Sequence, residues 1–148
     1  MLANWIHVMI VHLIVIGVPW LLYRVFIQRK EPLDSPQWKN TYSFLILSGV
    51  IAAIAYFTGP TAADWTKLAL DPYPQEHVED HALWGRVAFV IQVVVALIGI
   101  MGWASILQDE KPDKKIFFVL IVLLLINTST LFYTAHLGGF VRRMDLLL

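Results

Sequence analysis

The chain has 148 residues, of which 58% are hydrophobic and 15% charged, and its formal net charge is zero at pH 7. A soluble domain is normally about half apolar, so the composition favours a membrane protein, and no basic patch indicates nucleic-acid binding. The chain has no cysteine, which excludes disulfides, cysteine-ligated zinc, iron–sulfur clusters and covalently attached c-type haem.

The apolar residues cluster in four blocks, at about residues 5–27, 41–58, 82–107 and 115–138. A membrane-spanning helix needs roughly 20 predominantly apolar residues. The sequence therefore predicts an all-α integral membrane four-helix bundle that forms a single domain over residues 1–148. Gly59-Pro60 is predicted to end the second helix, which leaves residues 59–81 as the longest connection.

The charge distribution predicts which side each connection faces. Four spans place both termini and residues 59–81 on one side, and residues 28–40 and 108–114 on the other. The positive-inside rule puts the side richer in lysine and arginine in the cytoplasm. With its flanks, the second side carries Arg24, Arg29, Lys30, Lys39, Lys111, Lys114 and Lys115, against Lys67, Arg86, Arg142 and Arg143. We therefore expect a multi-pass protein of the bacterial inner membrane with both termini on the non-cytoplasmic side.

All five histidines fall at the non-cytoplasmic end of this arrangement: His7, His12, His77, His81 and His136. His12 is the strongest functional candidate, because it lies inside an aliphatic run, where an ionisable residue is costly and indicates function. Imidazole is also an axial ligand of haem iron. The structural alternative for His12 is a neutral imidazole that is hydrogen-bonded to a neighbouring helix.

His7 precedes His12 by five residues on helix 1. At about 100° per residue, the two side chains point roughly 140° apart. They are therefore not expected to share one small site. One of the two is predicted to face the bundle and the other the lipid headgroups.

Helix 3 opens with His77 and His81, whose i, i+4 spacing is typical of metal ligands on a helix. His81 has the stronger case because it begins the apolar run, and Gly85 follows it on the same face. A glycine there would let a flat macrocycle lie close to the backbone. Gln92 continues this face deeper into the membrane.

His136 lies near the end of helix 4, directly before Leu137-Gly138-Gly139. The glycines are predicted to allow a sharp exit from the helix with positive φ. A histidine at a helix C-terminus also complements the helix dipole. Arg142 and Arg143 are predicted to anchor the chain at lipid headgroups, or to pair with haem propionates or acidic lipids.

Three motifs, taken in order, resemble a widespread group of bacterial four-helix predicted membrane proteins that is catalogued as a domain of unknown function. The motifs are Val11-His12, Glu79-Asp80-His81 and Ala135-His136-Leu137-Gly138-Gly139. Their order and helix positions agree over nearly the whole chain. Family members often occur beside cytochrome c domains, so the resemblance implies electron transfer.

The chain departs from this family pattern in two places. Family members often have two prolines and histidines four residues apart in helix 1, whereas His7 and His12 are five apart and both prolines are missing. A terminal Val-Tyr-x-x-Gly pattern is replaced here by Val141-Arg142-Arg143-Met144. The first departure concerns the role of His7.

The sequence favours a membrane b-type cytochrome, or the haem-carrying subunit of a respiratory complex. One haem b is expected near the non-cytoplasmic surface, with His12 and His81 as the first axial pair and His136 as the next candidate; four histidines on helices leave a second haem open. Expected partners are lipid, other subunits of a membrane redox complex, a periplasmic cytochrome c and quinone. The alternatives are a non-catalytic accessory subunit without a cofactor, and a copper, iron or zinc site at His12, His81 and His136.

Overall fold

The computed structural model describes residues 2–70 and 73–142, and the side chains of residues 5–70 and 73–141. The described chain forms four α-helices: α1 Leu2–Ile27, α2 Pro36–Ala69, α3 Gln75–Leu107 and α4 Lys115–Arg142. All four are long and apolar enough to cross a membrane. The predicted all-helical architecture with four candidate spans is therefore confirmed. Arg143 lies outside the described residues.

The four helices close into a ring in which each one packs against its neighbours in sequence, and α1 also packs against α4. Helices α1 and α3 are consequently diagonal to each other, as are α2 and α4. The interface between α2 and α3 is the largest, and that between α1 and α4 is the smallest. We call the end that contains the start of α3 and the end of α4 the histidine end, and the end with residues 28–35 and 108–114 the connector end.

Helix α2 starts earlier and ends later than the apolar block from which it was predicted. Ser35 caps its start by accepting a hydrogen bond from the backbone N–H of Trp38, and Pro36 occupies the first turn, where proline is well tolerated. The helix continues through Pro60 to Ala69, so the prediction that Gly59-Pro60 ends it is wrong. Proline removes one helical hydrogen bond, but packed helices and nearby hydroxyl groups can satisfy the freed backbone groups.

The predicted long connection over residues 59–81 is therefore mostly helical. Only residues 70–74 join α2 to α3. Helices α2 and α3 have 34 and 33 residues, so each is about 50 Å long at 1.5 Å per residue. Both exceed the hydrocarbon thickness of a typical bilayer, which is about 30 Å.

Close packing between α2 and α3 depends on small residues of α3. A side chain at Gly102 would begin 2.5 Å from the ring of Tyr42, so only glycine leaves room for this fully buried ring. Further along the same interface, Gly49 of α2 meets Ala96 of α3. These contacts fix the separation of the two longest helices and bring their facing polar side chains within reach of each other.

The connector end is held together by a polar network between α1 and α2. The Arg24 guanidinium donates from Nε to Thr41 Oγ1 at 2.8 Å, and the Thr41 hydroxyl lies 2.8 Å from Gln28 Oε1. The indole N–H of Trp38 donates to the backbone carbonyl of Gln28 at 3.3 Å. Because Gln28, Trp38 and Thr41 are all buried, these bonds anchor the first connection to the start of α2.

Candidate functional site

His7 joins α1 to α2 at the histidine end. Its Nδ1 lies 2.9 Å from the backbone oxygen of Ala55 and 3.1 Å from Thr58 Oγ1. A carbonyl oxygen can only accept, so Nδ1 carries the proton and Nε2 keeps its lone pair. Gly59 lies against the ring, since a side chain there would begin 3.6 Å from His7 Cε1. His7 is therefore the helix 1 histidine that faces the bundle.

His81 makes the matching link between α3 and α4. Its Nδ1 lies 2.9 Å from the backbone oxygen of Thr134, so the same reasoning assigns the proton to Nδ1 and leaves Nε2 with a lone pair. The ring covers Gly138, where a side chain would begin 3.0 Å from His81 Cε1 and 3.2 Å from Nδ1. Gly138 is therefore the residue that makes room for this imidazole.

The prediction that Gly138 and Gly139 end helix 4 with positive φ is wrong. Helix α4 continues to Arg142, and among the described residues no glycine has a positive φ. A side chain at Gly139 would meet nothing within 4 Å. Gly138 is important for its small size, because it lies beside α3. A side chain added at Gly139 would contact no neighbouring residue.

His7 and His81 belong to the diagonal helices α1 and α3 and lie at the same end of the bundle. Both rings are half-buried. Nδ1 of each ring is bonded to a backbone carbonyl of the helix that follows its own. In the neutral tautomer that these bonds select, Nε2 is the nitrogen with the lone pair.

His12 is placed differently. Its side chain is exposed on α1, and Nδ1 donates to the Val8 carbonyl of its own helix at 2.6 Å. Its ring therefore lies on the outer surface of the bundle and links no two helices. His7 and His12 thus point in different directions, as the predicted angle of roughly 140° requires. His7, nearer the helix start, faces the bundle, and His12 faces outward.

His136 lies on the exposed face of α4, where Phe140 packs edge-on against it with ring centroids 4.5 Å apart. His77 of α3 lies 6.1 Å from the same phenyl ring. Both histidines therefore belong to an aromatic patch on the outside of α3 and α4. Over residues 2–70 and 73–142, no three histidine or carboxylate side chains come together as a metal site.

Gly85, another predicted site residue, makes an ordinary packing contact. Gly85 faces Thr134 of α4, whose methyl group would lie 3.9 Å from an added side chain, so α3 and α4 approach each other closely here. Arg142 is in the last turn of α4, and its side chain lies outside the described part of the chain.

A buried polar layer crosses the middle of the bundle and joins three helices. Asn127 Nδ2 donates to Gln92 Oε1 at 2.7 Å, and Gln92 Nε2 donates to Ser48 Oγ at 2.6 Å. The Ser48 hydroxyl donates to the Leu45 carbonyl at 2.7 Å. The donors all run in one direction, from α4 through α3 to α2. We call Ser48, Gln92 and Asn127 the amide layer.

The sequence indicated that Gln92 and Asn127 lie deep in the membrane, but it did not identify their partners. The carbonyls of Ala55 and Thr134, which orient the two interhelical histidines, also had no signal in the sequence, because every residue type carries the same backbone acceptor. The sequence did contain a local indication of the two histidine contacts. Thr58-Gly59-Pro60 and Gly138 interrupt stretches of bulky apolar residues, and each of these two positions lies beside an imidazole.

Comparison with known proteins found no family model, curated protein or solved structure that matches the chain. The resemblance to the four-helix membrane family therefore remains a prediction from the three motifs, and any functional conclusion depends on the geometry of the chain itself.

Proposed function

We propose that the protein is a membrane-embedded b-type haem-binding electron-transfer protein that acts as a subunit of a respiratory complex. The observation that supports this proposal is that His7 and His81 have the same hydrogen-bonding arrangement at one end of the bundle. They lie on different helices, and Nδ1 of each is bonded to a backbone carbonyl of a neighbouring helix.

This arrangement has the chemistry that an axial haem ligand needs. A ligating histidine usually donates its second ring N–H to a carbonyl or carboxylate, which fixes the tautomer and raises the basicity of the ligating nitrogen. The Ala55 and Thr134 carbonyls would do this for His7 and His81. The donor chemistry of these two residues is that of axial haem ligands, and a haem held by them would supply one-electron transfer.

The proposed ligand pair replaces His12 with His7. His12 is deeper in the predicted span, but it faces outward, whereas His7 contacts α2 inside the ring. His136 and His12 each lie on an outer surface, so we assign one haem to each chain, held by His7 and His81. Gly85 keeps α3 close to α4 beside this site, and Arg142 remains a proposed anchor to headgroups or propionates.

The distribution of lysine and arginine supports the histidine end facing the periplasm in a bacterial inner membrane. In that orientation the site would exchange electrons with a periplasmic cytochrome c or a larger redox complex, and quinol would be the donor in the bilayer.

A second candidate function is a structural accessory subunit. Its support comes from the same two hydrogen bonds, because His7 links α1 to α2 and His81 links α3 to α4 without any cofactor. In this case the two histidines only hold neighbouring helices together through their hydrogen bonds, and no metal binds to their Nε2 atoms.

A difference spectrum distinguishes these functions. The protein would be isolated with its native partners in mild detergent, and the dithionite-reduced minus air-oxidised spectrum recorded with pyridine haemochrome quantitation. We expect a sharp α-band of b-type haem at about one haem per chain, lost in His7→Leu and in His81→Leu. His12→Leu is the matched control, because it removes an imidazole from the same helix but from the outer face, and it should retain the band.

A spectrum without haem in the natively isolated protein would reject the cytochrome and leave the structural function. Loss of the band in His12→Leu, with retention in His7→Leu, would restore the ligand pair that the sequence predicted.

A further inference from the structure

The interface between α3 and α4 consists of small and polar residues between the histidine end and the amide layer, as is common where membrane helices pack closely. On α3 the facing positions are His81, Gly85, Ala88 and Gln92, and on α4 they are Gly138, Thr134, Thr130 and Asn127. Each set repeats at intervals of three or four residues, which places it on one face of its helix. We call this strip of small and polar residues the α3–α4 seam.

Contacts show that the two sets face each other. His81 lies over Gly138 and is bonded to the Thr134 carbonyl, Gly85 faces Thr134, and Gln92 is bonded to Asn127. From Asn127 to Gly138 the seam is about 16 Å long at 1.5 Å per residue. It thus connects the histidine end to the middle of the bundle.

The inner end of the seam contains a polar atom that lacks a partner. Asn127 is fully buried, and its Oδ1 accepts no hydrogen bond from the described residues. Because Asn127 Nδ2 is bonded to Gln92, the same amide group lies in the seam. An unsatisfied polar group costs several kcal/mol in hydrocarbon, so this position calls for a hydrogen-bond donor.

Directly beyond the amide layer, toward the connector end, lies a layer of fully buried aliphatic side chains: Val18, Leu45, Val95, Leu120 and Leu124. These side chains offer no hydrogen bonds to water. The buried polar residues of the connector end, Trp38, Thr41 and Tyr42, lie beyond this layer. A polar path that starts at the histidine end would therefore stop at the amide layer and would not cross the bundle.

We propose that the α3–α4 seam admits water from the histidine end as far as Asn127, and that a water molecule bound to Asn127 Oδ1 ends the path. Water supplies the donor that this oxygen lacks, and a buried water usually has two or more polar partners. The path gives the middle of the bundle access to water and protons from one side only. This proposal does not depend on haem binding.

The natural chain contains no cysteine, so single cysteines can be introduced without a background. Thr134→Cys and Thr130→Cys would report on the seam, and Leu120→Cys would report on the aliphatic layer of the same helix. Leu120 is only five residues from the helix start at Lys115, whereas Thr134 is eight residues from the end at Arg142. If reactivity depended only on distance from the nearer helix end, Leu120→Cys would therefore react faster than Thr134→Cys.

The reaction rate with a small, positively charged methanethiosulfonate would be measured in detergent, where both ends are accessible. A dry thiol stays protonated and unreactive, so we expect the two seam cysteines to react at least about tenfold faster than Leu120→Cys. Adding Asn127→Leu should slow Thr130→Cys, because the residue that holds the water is gone. Equal rates, or a faster reaction at Leu120→Cys, would overturn the proposal.

A measurement on the unsubstituted chain covers the case in which a cysteine variant fails to fold. Backbone amides would be followed by hydrogen–deuterium exchange and mass spectrometry in the same detergent. We expect faster exchange in residues 85–92 and 127–134 than in residues 95–102 and 116–124. Equal protection of the two sets would mean that the seam is dry.

Discussion

The two ends of the bundle use polar residues in different ways. At the connector end, Trp38 and Tyr42 fill the space between helices, and Arg24 is bonded to Thr41. At the histidine end, single half-buried imidazoles bridge neighbouring helices through Nδ1. The contrast indicates that the connector end, with its large buried side chains, contributes more to stability than the histidine end does.

The largest loss of stability is expected for a substitution at the connector end. Trp38→Ala removes a fully buried indole and its bond to Gln28, and a buried Trp→Ala change typically costs about 3–5 kcal/mol. Denaturant unfolding in detergent would measure this loss. Trp5→Ala, at a position 63% exposed near the histidine end, is the control and should change stability by less than about 0.5 kcal/mol. Similar losses in both variants would contradict the assignment of stability to the connector end.

The second largest loss of stability is expected where the His81 ring packs closely over Gly138. Gly138→Val places side-chain atoms where the imidazole lies, and such overpacking costs about 1–3 kcal/mol. If His81 binds haem, the variant should also lose the b-type α-band, because the ring is displaced. Gly139→Val adds the same atoms at a position with no neighbour within 4 Å, so both its stability and its spectrum should be unchanged. A Gly138→Val protein with normal stability would show that the ring tolerates displacement.

A smaller effect is expected at the amide layer, which lies between the two ends. Gln92→Leu leaves Ser48 and Asn127 without their side-chain partner, and interhelical hydrogen bonds in membranes contribute about 0.6–2 kcal/mol. Adding Asn127→Leu removes a stranded amide, so the double variant should be more stable than the sum of the single changes predicts. Strict additivity in unfolding measurements would show that the two amides are not coupled.

The smallest changes in stability are expected at the two histidines of helix α1, and they should differ between the two positions. His12→Leu replaces an exposed side chain whose only bond is to its own helix, so the change in stability should be within about 0.5 kcal/mol. His7→Leu breaks the link to Ala55 and should cost about 1 kcal/mol. Thermal unfolding of the two variants side by side would rank them, and the reverse order would mean that His12, not His7, supports the bundle.

Much of the fold could be predicted from the sequence, because long apolar blocks have few physical solutions in a membrane. The errors occurred where a local rule met a tertiary contact. Proline usually ends a helix, but α2 continues through Pro60 to Ala69, and the preceding Gly59 lies against the His7 ring of α1. Paired glycines often end a helix, yet Gly138 is helical and serves to accommodate an imidazole from α3.

The clustering of the histidines at one end of the bundle could be predicted, because it follows from the order of the four apolar blocks. The contacts of each histidine could not. His7 and His12 are both flanked by apolar residues, and only the neighbouring helix distinguishes them: Ala55 and Thr58 of α2 bond His7 and not His12.

The lengths of α2 and α3 have a consequence for reach. At about 50 Å each, they are about 20 Å longer than the hydrocarbon layer of a bilayer. Among the described residues, their tips at the histidine end include four exposed carboxylates: Asp64, Glu76, Glu79 and Asp80. In a membrane, a soluble molecule that approaches His7 and His81 from the histidine end would first meet these negatively charged tips.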